Sequence, residues 1–142
     1  MITDNQIKMY ERAEEIQKEW KKKRYDYAYC AETKLVKLCC DISYWETRID
    51  LIYLPTQEQL QEMIRENVFE KEIKKHPKYY INIGIDSYIC LTFQFHIWLS
   101  IKGGYRYIHN GFTLNEFWLA FVMHEKYHKI WTGEKWEEEK PK

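Results

Sequence analysis

Residues 88–110 read YICLTFQFHIWLSIKGGYRYIHN, and this segment decides the predicted fold. Its residues alternate between two faces of an extended chain. One face carries Phe93, Phe95, Ile97, Leu99 and Ile101, and the other carries Gln94, His96, Trp98, Ser100 and Lys102. A period of two residues predicts a β-strand. Gly103-Gly104 suits a type I′ turn, so we predict a hairpin into a second strand at Tyr105–Tyr107.

Neighbouring segments predict further strands. YDYAYCAETKLVKLCCDI (residues 25–42) predicts two strands around a turn at Glu32-Thr33, with Tyr25, Tyr27 and Tyr29 on one face. IDLIYLP (residues 49–55) predicts a third strand, and YYINIGID (residues 79–86) predicts another.

Three helices are predicted, each opened by a capping box. The boxes are Thr3 with Gln6, Thr56 with Gln59, and Thr113 with Glu116. We place the helices at about residues 4–23, from Thr56 to about Lys75, and from Thr113 to a C-cap at Gly133. The predicted fold class is therefore α+β. It has an antiparallel β-sheet of about five to six strands, with an N-terminal, a central and a C-terminal helix packed on it, in a single domain over residues 1–142.

The composition predicts a globular protein that is rich in aromatic side chains. The chain has 142 residues, of which 17% are aromatic, and this exceeds what a small core needs. Lys plus Arg and Asp plus Glu both number 22, so net charge favours neither nucleic acid nor membrane. The N-terminus is charged, no apolar run would span a bilayer, and no C-x-x-C pair occurs among the four cysteines. We expect a cytoplasmic protein with reduced thiols.

Residues 124–128 spell H-E-x-x-H, the signature of many zinc peptidases. On a helix, His124 and His128 would face one ion, and Glu125 would activate a metal-bound water. Zinc hydrolysis with these three residues is therefore one alternative function. A catalytic zinc needs a third protein ligand. In the extended motif, Gly and His would stand where the chain has Trp131 and Glu134.

We favour another interpretation of this helix. Lys126 and Lys129 add positive charge that disfavours Zn²⁺. On a helical wheel the two histidines lie among Phe117, Phe121, Tyr127 and Trp131, which form a packing or contact face. We therefore expect no catalytic residue, no metal and no cofactor, and an interaction surface made of these four side chains together with Tyr25, Tyr27 and Tyr29.

A second alternative is single-stranded nucleic-acid binding. KKKRYDYAY (residues 21–29) places the cations of Lys21–Arg24 beside tyrosines, as proteins of that class do. The neutral net charge favours a simpler explanation, a basic helix end followed by a tyrosine-rich strand.

Three segments carry a recognisable pattern: DNQIKMYERAEEIQKEW (residues 4–20), IYLPTQEQLQEMI (residues 52–64) and FWLAFVMHEKYHKIWTGEKW (residues 117–136). In them the chain resembles a family of small phage and prophage proteins of Firmicutes, whose pattern does not include His124 and His128. The resemblance implies a small accessory protein of the bacterial cytoplasm and no particular reaction. It implies binding to a host or phage protein or to a small ligand, with a counter-defence role as one possibility. We also expect a homo-oligomer, with no membrane and no nucleic-acid partner.

Overall fold

The computed structural model describes residues 2–40, 42–48, 50–76, 78 and 83–140. Contacts divide the chain into two compact units. The first comprises Met1–Thr56 with Trp131–Glu137, and the second comprises Gln57–Ile130 with Glu138–Lys142. The predicted class, α+β, is confirmed. A single domain over residues 1–142 stays a prediction, and each unit is described by itself.

In its described residues, the first unit contains three short helices and a three-stranded sheet. The elements are α1 (Asp4–Glu11), α2 (Glu14–Glu19), β1 (Tyr27–Cys30), β2 (Leu35–Leu38), α3 (Ile42–Glu46) and β3 (Leu51–Tyr53). The strand order is β2-β1-β3, and both pairs are antiparallel. The hairpin around Glu32-Thr33 and the strand before Pro55 are therefore confirmed.

The start of the N-terminal helix is also confirmed. Thr3 and Gln6 form the capping box, each accepting a hydrogen bond from the other's backbone N–H. Met9, Ala13 and Ile16 are buried, because they lie on one face of the helical stretch.

The prediction of one continuous helix over residues 4–23 is wrong, since the chain breaks at Ala13 and ends its second helix at Glu19. Ala13 has a ψ of 66°, which is not helical. The side-chain amide of Gln17 donates to the backbone oxygen of Tyr10 at 3.0 Å, so a side chain satisfies a carbonyl at the break. No Gly or Pro marks this position in the sequence.

The second unit is helical. It contains α4 (Gln57–Lys75), α5 (Ile83–Ser100), a 3₁₀ helix (Gly104–Asn110) and α6 (Leu114–Tyr127), and α4 packs on both α5 and α6. The capping box of Thr113 and Glu116 is confirmed. Phe112, just before this helix, contacts Phe117, and their ring centroids lie 5.9 Å apart.

The strand predicted over residues 88–102 is wrong, because residues 88–100 belong to helix α5. Nearly every residue here is apolar or uncharged, so the sequence fits a period of two and a helical period at once. Leu91, Phe95 and Trp98, spaced four and three residues apart, form the buried face. The helix runs for 18 residues, whereas strands usually have about five or six. Length was the better guide than alternation.

The predicted Gly103-Gly104 hairpin is also wrong. Gly103, with a φ of 112°, precedes the 3₁₀ helix. A Cβ on Gly104 would lie 2.7 Å from Cε3 of Trp98, so this glycine permits close packing on α5. Of the strand predicted over residues 79–86, residues 79–82 lie outside the described part, and the rest begins α5.

One sheet of five to six strands is therefore not formed. The described residues contain the three-stranded sheet and a second sheet that pairs β4 (Lys129–Trp131) with β5 (Trp136–Glu138). Helix α6 ends at Tyr127 rather than near Gly133, and Gly133, with a φ of 99°, lies between β4 and β5. Trp136–Glu138, near the C-terminus, form β5.

Two sequence expectations concern cysteines and membranes. The four cysteines are free thiols, of which Cys30, Cys39 and Cys90 are buried and Cys40 is exposed. Within the described ranges, none of the helices combines the length and the apolar character needed to cross a bilayer.

Candidate functional site: outer face and open edge of the small sheet

The three-stranded sheet has one buried and one outward side. Ala28 and Cys30 of β1 are fully buried, and Ala28 packs in a core cluster with Trp45. Side chains alternate along a strand, so Tyr27 and Tyr29 point to the opposite side.

The strand register shows which residues share that outward side. Tyr27 lies opposite Leu38, while Tyr29 lies between Val36 and Ile52. These five side chains are called the outer face below. Its exposed fractions are 42% for Tyr27, 44% for Val36 and 39% for Leu38. The outer face is therefore an apolar and aromatic surface that contains two of the three tyrosines predicted to form an interaction surface.

Tyr25, the third of those tyrosines, precedes β1 and does not follow the strand alternation. Its φ is 71°, and its backbone N–H donates to the oxygen of Cys39 at 2.7 Å. The side chain is 61% exposed, and the guanidinium carbon of Arg24 lies 5.1 Å from its ring centroid. This end of the sheet therefore carries an exposed ring with a cation over it.

The β3 edge of the sheet is closed by a side chain. The amide of Gln17 donates to the backbone oxygen of Tyr53 at 3.1 Å, and its own oxygen accepts from the Tyr53 N–H at 2.8 Å. Gln17 thus occupies the hydrogen-bonding position that a further strand would take. An edge covered in this way does not recruit another chain.

The β2 edge is open. The N–H of Cys39 donates to the oxygen of Asp26 on the β1 side at 2.8 Å. Because N–H groups alternate in direction along an antiparallel strand, those of Val36 and Leu38 point away from β1. In the described part of the chain, no acceptor faces these two groups. β2 therefore presents unpaired backbone donors beside exposed Leu35, Val36 and Leu38.

Cations lie near the two ends of β2, since Lys34 precedes the strand and Tyr25, next to Arg24, donates to the oxygen of Cys39. Lys21, Lys23, Arg24 and Lys34 are exposed. The neighbouring Glu32 carboxylate lies 2.8 Å from Arg48, which also pairs with Asp50. Within the Lys21–Arg24 run, Lys22 is used internally, because its ammonium donates to backbone oxygens of Trp45 and Arg48.

A polar cluster fixes one end of the sheet. Arg48 makes two hydrogen bonds to Asp50, at 2.8 and 2.7 Å, and the Cys30 thiol lies 3.2 Å from the same carboxylate. The hydrogen bonds from Arg48, and then that from Cys30, hold the pKa of Asp50 well below its ordinary value.

This cluster predicts an acid-sensitive sheet. A carboxylate whose folded pKa is lowered stabilises the fold fully above the unfolded value, and that contribution is lost as the pH falls through the folded value. We expect the free energy of unfolding, measured by urea titration from about pH 6 to about pH 2, to fall on acidification. Asp50→Asn should reduce this slope, whereas Glu14→Gln, which removes an exposed carboxylate of α2, should leave it unchanged. If the free energy of unfolding fell equally with pH in the wild type, Asp50→Asn and Glu14→Gln, the stabilising role of Asp50 would be contradicted.

The four interaction residues predicted in the C-terminal region are placed differently from one another. Phe121 and Trp131 are buried, so they pack inside the protein. Phe117 and Tyr127 are half-buried. Of the seven residues predicted to form the interaction surface, the exposed ones are thus Tyr25 and Tyr27.

His124 and His128 do not share one helical face. His124 lies in the last turn of α6, whereas His128 is its C-cap, with a left-handed φ of 55°. Nε2 of His124 lies 3.0 Å from Glu139. Its Nδ1 is buried 3.4 Å from Glu125, at ion-pair distance but without hydrogen-bond geometry. Burial would raise the pKa of Glu125, but His124 and Lys71 outweigh this and lower it.

His124, Glu125 and His128 line one cavity, but His128 lies beyond the end of α6, so the two histidines do not form the predicted pair on one helix. Within residues 2–40, 42–48, 50–76, 78 and 83–140, no three His, Cys, Asp or Glu side chains are grouped to hold a metal ion. The zinc alternative therefore stays a prediction, and it still needs a third protein ligand.

Comparison with known proteins adds no relative. No protein-family model matches the chain, and no curated protein or solved structure matches it.

Proposed function

We propose that this protein is a non-enzymatic binding protein whose first unit takes up an extended segment of a partner protein along β2. The open β2 edge, with the outward N–H groups of Val36 and Leu38 beside exposed apolar side chains, carries the proposal. Strand addition uses both features. Backbone hydrogen bonds supply affinity, and alternate side chains supply specificity.

The size of the surface favours a short segment as the partner. Three strands spaced about 4.8 Å apart, with about four residues each at 3.3 Å, give a footprint of roughly 200 Å². A stable interface between folded proteins buries about 800 Å² on each side. The outer face alone is therefore too small for a tight dimer, although homo-oligomerisation stays a prediction.

The surrounding charge favours an acidic partner segment. Lys23, Arg24 and Lys34 are exposed near the strand ends, and Glu32 is held by Arg48. A segment that alternates apolar and acidic residues would place apolar side chains on the outer face and carboxylates near these cations.

Protein fits this surface better than single-stranded nucleic acid does. Nucleic-acid grooves combine stacking rings with a track of free cations. Here the face also carries the aliphatic Val36, Leu38 and Ile52, and Lys22 is bound to backbone oxygens.

The resemblance to phage and prophage proteins supports a host protein as the source of the segment, met in the bacterial cytoplasm. Blocking a host defence component is the corresponding biological role within the proposal.

Peptide selection tests the proposal. The full chain, immobilised, is used to select peptides from a random display library, and it is titrated separately with an oligothymidylate over a salt series. We expect selected peptides to alternate apolar and acidic residues and to compete with one another for the protein.

Two results would overturn it. Salt-dependent oligonucleotide binding that requires Arg24 and Tyr27, without peptide binding, would assign the face to nucleic acid. A solution mass of two chains that falls to one on substitution of Val36 would assign the edge to a second copy.

A further inference from the structure

Two adjoining cavities in the second unit are lined mainly by polar side chains. The first has a volume of about 260 Å³ and is lined by residues of α4, of α5 and of the end of α6. The second has a volume of about 550 Å³ and is lined by residues at the 3₁₀ helix and after β5. Lys102 and His128 line both cavities, so the cavities meet at these two side chains.

The linings carry an excess of cations. Five Lys or Arg side chains face three Glu side chains across the two cavities, and His124 and His128 add two imidazoles. The whole chain has 22 basic and 22 acidic residues, so this excess is local. A concave surface with such a balance raises the local concentration of anions.

The ion pairs within the first cavity are long. Lys71 lies 3.5 Å from Glu125, and Lys75 lies 3.6 Å from Glu72. Strong pairs between an ammonium and a carboxylate measure about 2.7–2.9 Å. Lys102 has no carboxylate within ion-pair distance in the described part of the chain. In the first cavity an incoming anion would therefore meet Lys71 and Lys75, which make only long ion pairs, and Lys102.

The second cavity adds apolar surface. Tyr105 and Ile101 line it, and their side chains are 55% and 75% exposed. An exposed ring offers a flat surface on which a planar group can stack. The volume of this cavity lies within the range of about 300–1,000 Å³ typical of small-molecule sites.

We propose that these cavities bind a phosphorylated small organic molecule. The phosphate lies at the junction, where Lys102 and His128 donate to its oxygens. The organic part lies against Tyr105 in the wider cavity. This site is independent of the strand-addition surface of the first unit and goes beyond the function proposed for it.

Isothermal titration calorimetry with the full chain tests this site. The probes are adenosine 5′-monophosphate, glucose 6-phosphate, inorganic phosphate and adenosine. We expect saturable binding of the two organic phosphates, weaker binding of inorganic phosphate and the weakest binding of adenosine.

Matched variants locate the site. Lys102→Ala removes an exposed ammonium from the junction, and we expect about a tenfold loss of affinity for adenosine monophosphate. Lys18→Ala removes the same charge from α2 in the first unit and should leave the affinity unchanged. Tyr105→Ala should weaken the binding of adenosine monophosphate more than the binding of inorganic phosphate. Unchanged unfolding temperatures would show that the variants are folded.

Three results would overturn the inference. One is the absence of saturable binding for every phosphate probe. Another is an equal loss in Lys102→Ala and Lys18→Ala, which would indicate a general charge effect. The third is binding of adenosine as tight as that of its monophosphate, which would exclude recognition of the phosphate.

Discussion

Replacement of Phe121 by alanine is expected to lower the free energy of unfolding by about 3–5 kcal/mol. Phe121 is fully buried in the second unit, and its ring centroid lies 5.4 Å from that of Phe95 and 5.3 Å from that of Trp98. Truncation would remove these contacts and leave a cavity that rigid helices cannot close. Urea denaturation followed by tryptophan fluorescence measures the change.

Phe93→Ala is the matched control. It makes the same chemical change on α5, at a side chain that is 60% exposed, and should cost less than about 1 kcal/mol. The comparison separates a core role of Phe121 from the contact role that its sequence position predicts. A small loss of stability with a large loss of partner binding would contradict the packing shown by the structure.

Val36→Pro is expected to lower the affinity for a selected peptide at least about tenfold while leaving the fold intact. Proline has no N–H, and the N–H of Val36 points away from β1, so the sheet itself loses no hydrogen bond. An edge strand tolerates proline at such a position. The incoming strand would lose its hydrogen bond from the N–H of residue 36, worth about 1 kcal/mol. It would also clash with the proline ring.

Two further variants make this result specific. Val36→Ala keeps the N–H and shortens the side chain, so it should lower the affinity for the peptide less than Val36→Pro does. Lys37→Pro removes an N–H that points toward β1 and should instead destabilise the sheet. Equal peptide affinity in Val36→Pro and wild type would show that the edge is not the binding site.

Local signals in the sequence predict part of this fold well. The capping boxes at Thr3 and Thr113 are confirmed. They are predictable from sequence because each depends on two residues only three positions apart. The hairpin at Glu32-Thr33 is likewise set by neighbouring residues. Helix α5 was missed because a nearly uniform apolar run fits two periods, and its length and its packing on α4 select the helix.

The candidate site was predicted only in part. The alternation of Tyr27 and Tyr29 identified the outer face, because side-chain direction along a strand follows from sequence order. The open edge was missed, because edges are decided by strand order and by long-range contacts such as Gln17 with Tyr53. The exposed Leu35, Val36 and Leu38 gave a hint, since three apolar residues among four cannot all face one core.

Amide hydrogen exchange of Val36 and Leu38, with and without a selected acidic peptide, tests the proposed strand addition most directly. In the free protein these outward N–H groups lack a protein acceptor among the described residues and should exchange fast. Peptide at saturation should slow both of them and leave the amides of Phe93 and Tyr105 in the second unit unchanged. Bound peptide with unchanged exchange at Val36 and Leu38 would contradict strand addition at β2.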